Sequence, residues 1–251
     1  MNPYKRIPAW KDCFETFKKN NITFNEIIDV GAAPGPSSFT EEIIKFYPQA
    51  RYHLIEPQTR FNETLNKIYS GIDFVIYNEI IGSNEFFGYE VGVRRYDNDG
   101  ATHSLIRTKP ESIGWSEELN TEVLYCNTKK IRTLDNLLEN YITEDMLLLK
   151  VDVDGQDIEV LKGATNILKK VKVLQIEASL FNIAETISYL NSNGFRIIDL
   201  VDFCYYDRVL TQVDIICGAA DFVETLSMLD APLHRTTEWN NELLFNFPYM
   251  N

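Results

Sequence analysis

The sequence predicts an α/β fold built on a doubly wound, mostly parallel seven-stranded sheet with an antiparallel last strand. Short apolar runs alternate with segments of helical periodicity, the order expected when helices cover both faces of a parallel sheet. The run Met146–Asp152 is nearly all apolar, as in a strand buried on both faces. The last two apolar runs, Phe195–Phe203 and Val213–Cys217, have no convincing helix between them, so they are expected to pair antiparallel.

A short helix is expected in an N-terminal extension of residues 1–25, over Pro8–Asn20, because Trp10, Phe14 and Phe17 recur there at helical spacing. The later elements alternate between strand and helix: strand Ile27–Val30, helix Phe39–Phe46, strand Tyr52–Glu56, helix Phe61–Ile68, strand Phe74–Ile81, helix Leu134–Tyr141, strand Met146–Asp152, helix Ile158–Leu168, strand Val171–Glu177 and helix Ile183–Leu190. Gly194 is in the position typical of a residue that ends a helix.

Residues 83–125 interrupt this alternation. They are rich in Gly, Asn, Asp, Ser and Thr and contain short aromatic pieces. We interpret them as a β-hairpin and a mobile loop inserted into a single domain that spans residues 1–251. An insertion after the third strand is expected near the carboxyl ends of the strands, where ligands bind in α/β sheets.

The composition argues against a nucleic-acid substrate. The chain has 37 acidic and 24 basic residues, a net charge of −13, and no cluster of Lys and Arg. Nucleic-acid binding relies on basic patches that displace counterions from phosphates. We therefore expect a small-molecule or glycan acceptor rather than RNA or DNA.

The cysteines and the chain start predict a cytoplasmic protein. Cys13, Cys126, Cys204 and Cys217 are too sparse for a disulfide framework and form no Cys-x-x-Cys pair. The first residues lack the apolar core of a signal peptide, and no apolar run approaches the ~20 residues of a membrane span. No pattern in the sequence indicates an oligomeric state.

A small-residue loop after the first strand predicts a cofactor site. Glycines at Gly31 and Gly35 let the backbone turn tightly and approach a ligand, and Glu56, ending the second strand, can accept ribose hydroxyl protons. The dinucleotide spelling G-x-G-x-x-G fails because Ala33 and Pro36 occupy the later positions, which favours S-adenosylmethionine. The candidate cofactor-binding residues are Asp29, Gly31, Ala33, Gly35, Ser37, Glu56, Asn78, Glu79 and Asp152. Ser37 or Ser38 is also expected to cap the following helix.

A second acidic motif lies where the buried fourth strand ends. Asp152 and Asp154 are at i and i+2, so their carboxylates share one side if the backbone stays extended. We expect both to be catalytic, although either could instead cap the helix that begins near Gln156. His103, in the insertion, is a third catalytic candidate as a general base, or else a surface residue.

The two motifs together resemble the FkbM family of S-adenosylmethionine-dependent methyltransferases over about Glu26 to Asp199. The matching segments are Asp29-Val-Gly-Ala-Ala33-Pro-Gly35, Glu56-Pro57, Thr133-Leu-Asp135, Lys150-Val-Asp152-Val-Asp154-Gly155-Gln-Asp157, Val160-Leu-Lys-Gly163-Ala164 and Gln175-Ile-Glu177. Ala33 replaces the usual Asn, and Asp154 and Asp157 replace the usual Glu. The resemblance implies a class I, Rossmann-like methyltransferase fold and O-methylation of a sugar or natural product.

The expected chemistry is in-line attack of a hydroxyl oxygen on the sulfonium methyl group, which needs help because a hydroxyl is a poor nucleophile. Burial and mutual repulsion could raise the pKa of Asp152 or Asp154. Alternatively the two could hold Mg²⁺, although no third ligand is evident and no metal ligand is assigned. Two other functions remain open: an NAD(P)-dependent oxidoreductase with the same β-α-β layout, and a non-catalytic protein that binds a partner through the insertion.

Overall fold

A computed structural model of the chain describes residues 9–88, 90–95, 106–107, 124–142, 146–153 and 155–228. His103 and Asp154, two of the three predicted catalytic residues, and the segment 229–251 lie outside the described residues. Among the helices that are described, none is long and apolar enough to cross a membrane.

Strands and helices alternate along most of the chain. The strands are β1 Glu26–Val30, β2 Arg51–Ile55, β3 Phe74–Tyr77, β4 Ile80–Ile81, β5 Glu90–Arg95, β6 Ile106–Arg107, β7 Leu124–Arg132, β8 Leu147–Val151, β9 Val171–Ser179, β10 Phe195–Tyr206 and β11 Val209–Ala219. The helices are α1 Trp10–Lys19, α2 Phe39–Phe46, α3 Asn62–Ile68, α4 Leu134–Leu138, α5 Asp157–Lys162, α6 Ile183–Ser192 and α7 Ala220–Met228.

The main sheet has seven strands in the order β10-β11-β9-β8-β1-β2-β3. The five strands β1, β2, β3, β8 and β9 run parallel, and β11 runs antiparallel to both β9 and β10. This confirms the predicted fold class, a class I Rossmann-like methyltransferase sheet. The carboxyl ends of the parallel strands meet at one edge, which is where ligands bind in such sheets.

Alternating side chains of the strands divide the core into two layers. Ile28 and Leu149 pack on one face with residues of α4, α5 and α6. Ile27 and Leu148 pack on the other face with residues of α1, α2, α3 and α7. On this second face a polar row crosses the sheet, because Asp29 pairs in register with Lys150 and Lys150 with Gln175.

The third predicted strand is divided, and this corrects the expectation of one strand over Phe74–Ile81. β3 ends at Tyr77, and β4 leaves the main sheet to pair parallel with β7 in a second sheet of order β4-β7-β5-β6. The division falls at Asn78, whose amide bonds the Glu56 carbonyl and the Asn62 side chain rather than continuing a strand. The second sheet therefore extends beyond the predicted insertion on both sides.

The last two strands are longer than predicted. β10 and β11 pair antiparallel as expected, but the turn between them contains only Asp207 and Arg208. Both residues have positive φ, 47° and 67°, as type I′ hairpin turns require. Neither is a glycine, so composition did not indicate so tight a turn.

The Thr133-Leu-Asp135 motif stabilises the fold away from the loop between β1 and α2. Thr133 caps α4 by accepting a hydrogen bond from the Asn136 N–H at 3.1 Å. Asp135 accepts from the Asn166 and Ile167 N–H groups, both at 2.9 Å at their shortest. The motif thus joins α4 to the turn that precedes β9.

Candidate functional site

The β1–α2 loop is held against the end of β8 at Gly31. This residue has a φ of +87°, which L side chains rarely adopt, and an added Cβ would lie 1.8 Å from the backbone oxygen of Asp152. Its N–H donates to the Ile55 carbonyl at 2.9 Å. At Gly35, by contrast, an added Cβ would meet no atom within 4 Å. The close approach of the ends of β1 and β8 therefore requires a glycine at position 31 but not at position 35.

The two serines after the loop have different positions. Ser38 is the N-cap of α2, and its hydroxyl accepts from the N–H groups of Glu41 and Gly35, each at 3.3 Å. Ser37 is exposed and has a φ of +64°. Of the two capping candidates, Ser38 is the cap, which leaves the Ser37 hydroxyl available to a ligand.

Glu56 is a buried carboxyl group directly after β2. It is 4% exposed, and its Oε1 accepts from the Gln58 N–H at 2.8 Å. Burial raises the pKa of Glu56 to about 7, although the Gln58 hydrogen bond acts in the opposite direction.

Asn78 and Glu79 already have protein partners. Asn78 donates to the Glu56 carbonyl at 2.8 Å and so supports the backbone at Glu56. Glu79 lies 3.5 Å from Arg132 of the second sheet, between Oε1 and Nη1. Their direct binding to a cofactor stays a prediction.

Lys150 connects the two motifs electrostatically. Its buried ammonium group lies 3.6 Å from Oδ1 of Asp29 and 3.0 Å from Oδ2 of Asp152. Asp29 is fully buried, and its other oxygen accepts from the Thr40 hydroxyl at 2.7 Å. Burial acts to lower the pKa of Lys150, but Asp152 and Asp29 outweigh it and raise that pKa, so the lysine is charged. Burial also raises the pKa of Asp29, while Lys150 and Thr40 act against this.

Asp152 and Glu177 are neighbouring carboxyl groups whose pKa values shift in opposite directions. Burial opposes ionisation of Asp152, but Lys150 overcomes it, so its pKa is lowered, contrary to the increase considered from the sequence. Burial and then the charge of Asp152 raise the pKa of Glu177 to about 8. The opposite shifts favour Asp152 as the ionised member of the two. Gln212 donates to Oε1 of Glu177 at 2.5 Å.

Asp157 shapes the turn that follows Asp152. Its carboxylate accepts from the N–H groups of Val153 at 2.9 Å and Gly155 at 3.0 Å. The α5 N-cap is Gln156, and it makes no side-chain capping bond, so Asp152 does not cap this helix. Burial raises the pKa of Asp157 to about 7, although its backbone hydrogen bonds lower it.

A cavity of about 400 Å³ joins the loop to the polar row on the sheet. Its wall combines the β1–α2 loop, the four strands β8, β9, β10 and β11, and the helices α1 and α2: Trp10, Gly31, Ala33, Ser37, Ser38, Phe39, Thr40, Lys150, Asp152, Gln175, Asp202 and Asp214. Four predicted site residues, Gly31, Ala33, Ser37 and Asp152, thus share one cavity. Gly35, Glu56, Asn78 and Glu79 are not part of its wall, and neither is Asp29, which contacts the wall residue Lys150. Within the described ranges, no group of three or more His, Cys, Asp or Glu side chains could hold a metal ion.

Sequence reasoning missed Lys150, Gln175, Asp202, Asp214 and Trp10 as cavity residues. The sequence did contain a hint for two of them, Lys150 and Gln175. A lysine and a glutamine inside apolar strands must be paired or must face a ligand, since burying an unpaired polar group is costly. Asp202 and Asp214 lie in the late strands β10 and β11, and the sequence does not show that β11 pairs with β9.

Solved structures similar to this chain include several methyltransferases. A precorrin-6y C5,15-methyltransferase from Geobacter metallireducens is 12% identical, with 85% of this chain and 91% of that chain covered and a TM-score of 0.41. A putative RNA methyltransferase from Pyrococcus horikoshii is 10% identical, with 83% of each chain covered and a TM-score of 0.41. A human methyltransferase 10 domain containing protein is 11% identical, with 86% and 84% covered and a TM-score of 0.41. Likenesses this distant say nothing about the acceptor.

The family comparison is more specific. No curated protein matches the sequence. The sequence profile described as the methyltransferase FkbM domain matches residues 29–197, which include the β1–α2 loop, Glu56, Lys150, Asp152 and Glu177. This match spans more than half of the chain and agrees with the seven-stranded sheet and its antiparallel strand. The chain is therefore a member of the FkbM family of S-adenosylmethionine-dependent methyltransferases.

Proposed function

We propose that the enzyme transfers the methyl group of S-adenosylmethionine to a hydroxyl oxygen of a small sugar, glycan or natural product. The observation that carries this proposal is the cavity itself. It places the cofactor loop, at Gly31 and Ala33, beside the carboxylate of Asp152, which can accept a hydroxyl proton. The wall also contains more carboxylates than cations, which favours a small acceptor over a polyphosphate.

The residues at the sheet edge fit S-adenosylmethionine. The loop between β1 and α2 passes so close to Asp152 that a Cβ at Gly31 would collide with the Asp152 backbone oxygen. The loop therefore lies directly against the carboxyl ends of the strands. Glu56 presents a carboxyl group next to that loop, since Gly31 and Ala32 both donate to the Ile55 carbonyl. Glu56 would accept hydrogen bonds from the two ribose hydroxyls, and Gly31, Ala33 and Ser37 would surround the methionine part.

When bound, the cofactor supplies a methyl group activated by a positively charged sulfur. The protein then has to orient the acceptor and remove its proton. Asp152 is placed for the second task. The Lys150 ammonium group, 3.0 Å from Oδ2 of Asp152, favours the ionised form of Asp152 and orients its carboxylate.

The test of this function is transfer of an isotope-labelled methyl group from S-adenosylmethionine to a panel of sugars and hydroxylated natural products. We expect label in an O-methyl ether, identified by mass spectrometry and NMR. Asp152→Asn should lower kcat by about 100-fold or more, because general base catalysis contributes about 10²–10⁴-fold, while calorimetry shows S-adenosylhomocysteine binding within about tenfold of wild type. Label on nitrogen, or wild-type kcat in Asp152→Asn, would contradict the proposal.

A second prediction concerns Glu56 and pH. Glu56→Gln should weaken S-adenosylhomocysteine binding about tenfold, since one charge-assisted hydrogen bond is lost. Because the pKa of Glu56 is about 7, the carboxylate that accepts ribose hydroxyls forms as pH rises through that value. Wild-type affinity should therefore increase between about pH 6 and 8, and the variant should lose this increase. Glu63→Gln, at an exposed residue in α3, is the control. If S-adenosylhomocysteine affinity depended on pH in the same way in both variants, Glu56 would not be the group that binds the ribose.

A further inference from the structure

The inner part of the cavity contains a glutamine with a fixed amide. Gln175 lies in β9, is 1% exposed and forms part of the cavity wall. Its Nε2 donates to Oδ2 of Asp214, on the neighbouring strand β11, at 2.6 Å. The reversed amide would place two oxygens against each other, so the Asp214 contact determines which atom is the oxygen.

The amide oxygen of Gln175 has no hydrogen-bond partner among the residues that the structure describes. Buried amide oxygens are nearly always paired, and an unpaired one costs stability. A ligand in the cavity that brings an N–H or O–H donor to this oxygen would remove that cost. The unpaired oxygen is thus an observation independent of the carboxylates nearby.

The charges around Gln175 distinguish between possible donors. The described wall carries the carboxylates of Asp152, Asp202 and Asp214 and the ammonium group of Lys150. Lys150 is already shared between Asp152 and the buried Asp29. Burial raises the pKa of Asp214 to about 6, with Gln175 acting against this, so Asp214 is mostly ionised at pH 7.5. The charge of Lys150 lowers the pKa of Asp214, but among the described residues Lys150 makes its salt bridges with Asp29 and Asp152 and none with Asp214.

A protonated amine satisfies both groups at once. It has three donors and no acceptor, so it can bond the Gln175 oxygen and the Asp214 carboxylate together. A neutral hydroxyl can bond the amide oxygen but leaves the carboxylate charge uncompensated. Asp202 adds a second negative charge at the same wall and is held by the Trp10 N–H at 3.1 Å.

We propose that Gln175 and Asp214 form a subsite for a protonated amine of the acceptor, so that the methylated hydroxyl belongs to an amino-bearing compound such as an amino sugar. This inference rests on the proposed function, because it names the substrate class of the same cavity. The amine is recognised and is not itself methylated.

The test is calorimetry on the full chain saturated with S-adenosylhomocysteine, at pH 7.5. Two matched ligand pairs are compared, glucosamine with glucose and ethanolamine with ethylene glycol. In each pair the amine should bind on the order of tenfold tighter, since one charge-assisted contact is added. Asp214→Asn and Gln175→Leu should each remove most of this preference. Asp73→Asn, at a side chain 71% exposed, should retain it.

Three results would overturn the subsite. The first is equal affinity within both ligand pairs for the wild type. The second is a full amine preference in Asp214→Asn. The third is a tenfold loss of S-adenosylhomocysteine binding in Asp214→Asn, which would assign this carboxylate to the cofactor instead. The same experiments distinguish this from a failure of the proposed function. If the protein prefers amines but methylates no hydroxyl group, the subsite is supported and the proposed O-methylation is refuted.

Discussion

Replacing Gly31 by alanine is expected to abolish cofactor binding and to destabilise the fold. The added Cβ would lie 1.8 Å from the backbone oxygen of Asp152, and the residue would have to keep a φ of +87°. Neither strand end can move easily, because Gly31 and Asp152 continue strands that pair with each other in the centre of the sheet. We expect a loss of about 3 kcal/mol or more in the free energy of unfolding, measured by urea denaturation. Affinity for S-adenosylhomocysteine should fall by about 100-fold or more.

Gly35→Ala is the matched control in the same loop. An alanine Cβ there meets no atom within 4 Å, and the backbone does not have the strained positive φ. Its free energy of unfolding should stay within about 0.5 kcal/mol of wild type. If Gly31→Ala were as stable as Gly35→Ala and bound S-adenosylhomocysteine as tightly as wild type, the close approach at Gly31 would not be needed.

Lys150→Met is expected to be the most destabilising change of a charged residue among those that line the cavity. It removes the ammonium group and leaves Asp29, with a side chain 0% exposed, as a buried charge without its cation. Breaking a buried ion pair by removing one partner costs about 3–5 kcal/mol. Urea denaturation at pH 7.5 should show a loss of that size. Methyl transfer should also be lost, because Asp152 loses the contact that keeps it ionised.

The comparison variants for Lys150→Met separate charge from packing. Lys45→Met, at a side chain 63% exposed, should cost less than about 1 kcal/mol. Adding Asp29→Asn to Lys150→Met should restore part of the stability, because the buried charge is gone. The pKa of Asp29 is raised in the folded state, so the ionised Asp29 lowers the free energy of unfolding at pH values above its unfolded pKa. This loss of stability disappears as the pH falls and Asp29 becomes protonated. The difference between Lys150→Met and wild type should therefore narrow toward acidic pH; a difference independent of pH would contradict the assignment to Asp29.

The architecture could be predicted from the sequence because it depends on local patterns. The strand β8 lies in an apolar run, and the helices follow with a clear periodicity. The division of the third strand could not be predicted in the same way. Ile80 and Ile81 continue the apolar pattern, but they pair with Ile131 and Arg132, about fifty positions later in the chain. Such a pairing depends on distant contacts that no short window contains.

The candidate site was predictable only where a motif marks a strand end. Gly31, Glu56 and Asp152 stand at the carboxyl ends of neighbouring strands, so topology alone brings them together. The contact between Gln175 and Asp214 depends on the antiparallel register of β9 and β11, in which Gln175 faces Ile216 and Asp214 faces Glu177. Neither register nor carboxyl pKa can be obtained from residue types without the strand order.

The cavity wall crosses the boundary of the region that the family shares. Gly31, Ala33, Lys150 and Asp152 lie inside the matched segment 29–197, whereas Trp10, Asp202 and Asp214 come from α1, β10 and β11 outside it. The residues proposed to hold the methyl donor therefore all lie in the common segment, whereas the proposed amine subsite combines Gln175 from that segment with Asp214 from its flank. A chimera that joins the shared segment of this chain to the flanks of a relative should keep S-adenosylmethionine as its methyl donor and, if the flanks of that relative lack an acidic residue at the Asp214 position, lose the preference for amine-bearing acceptors.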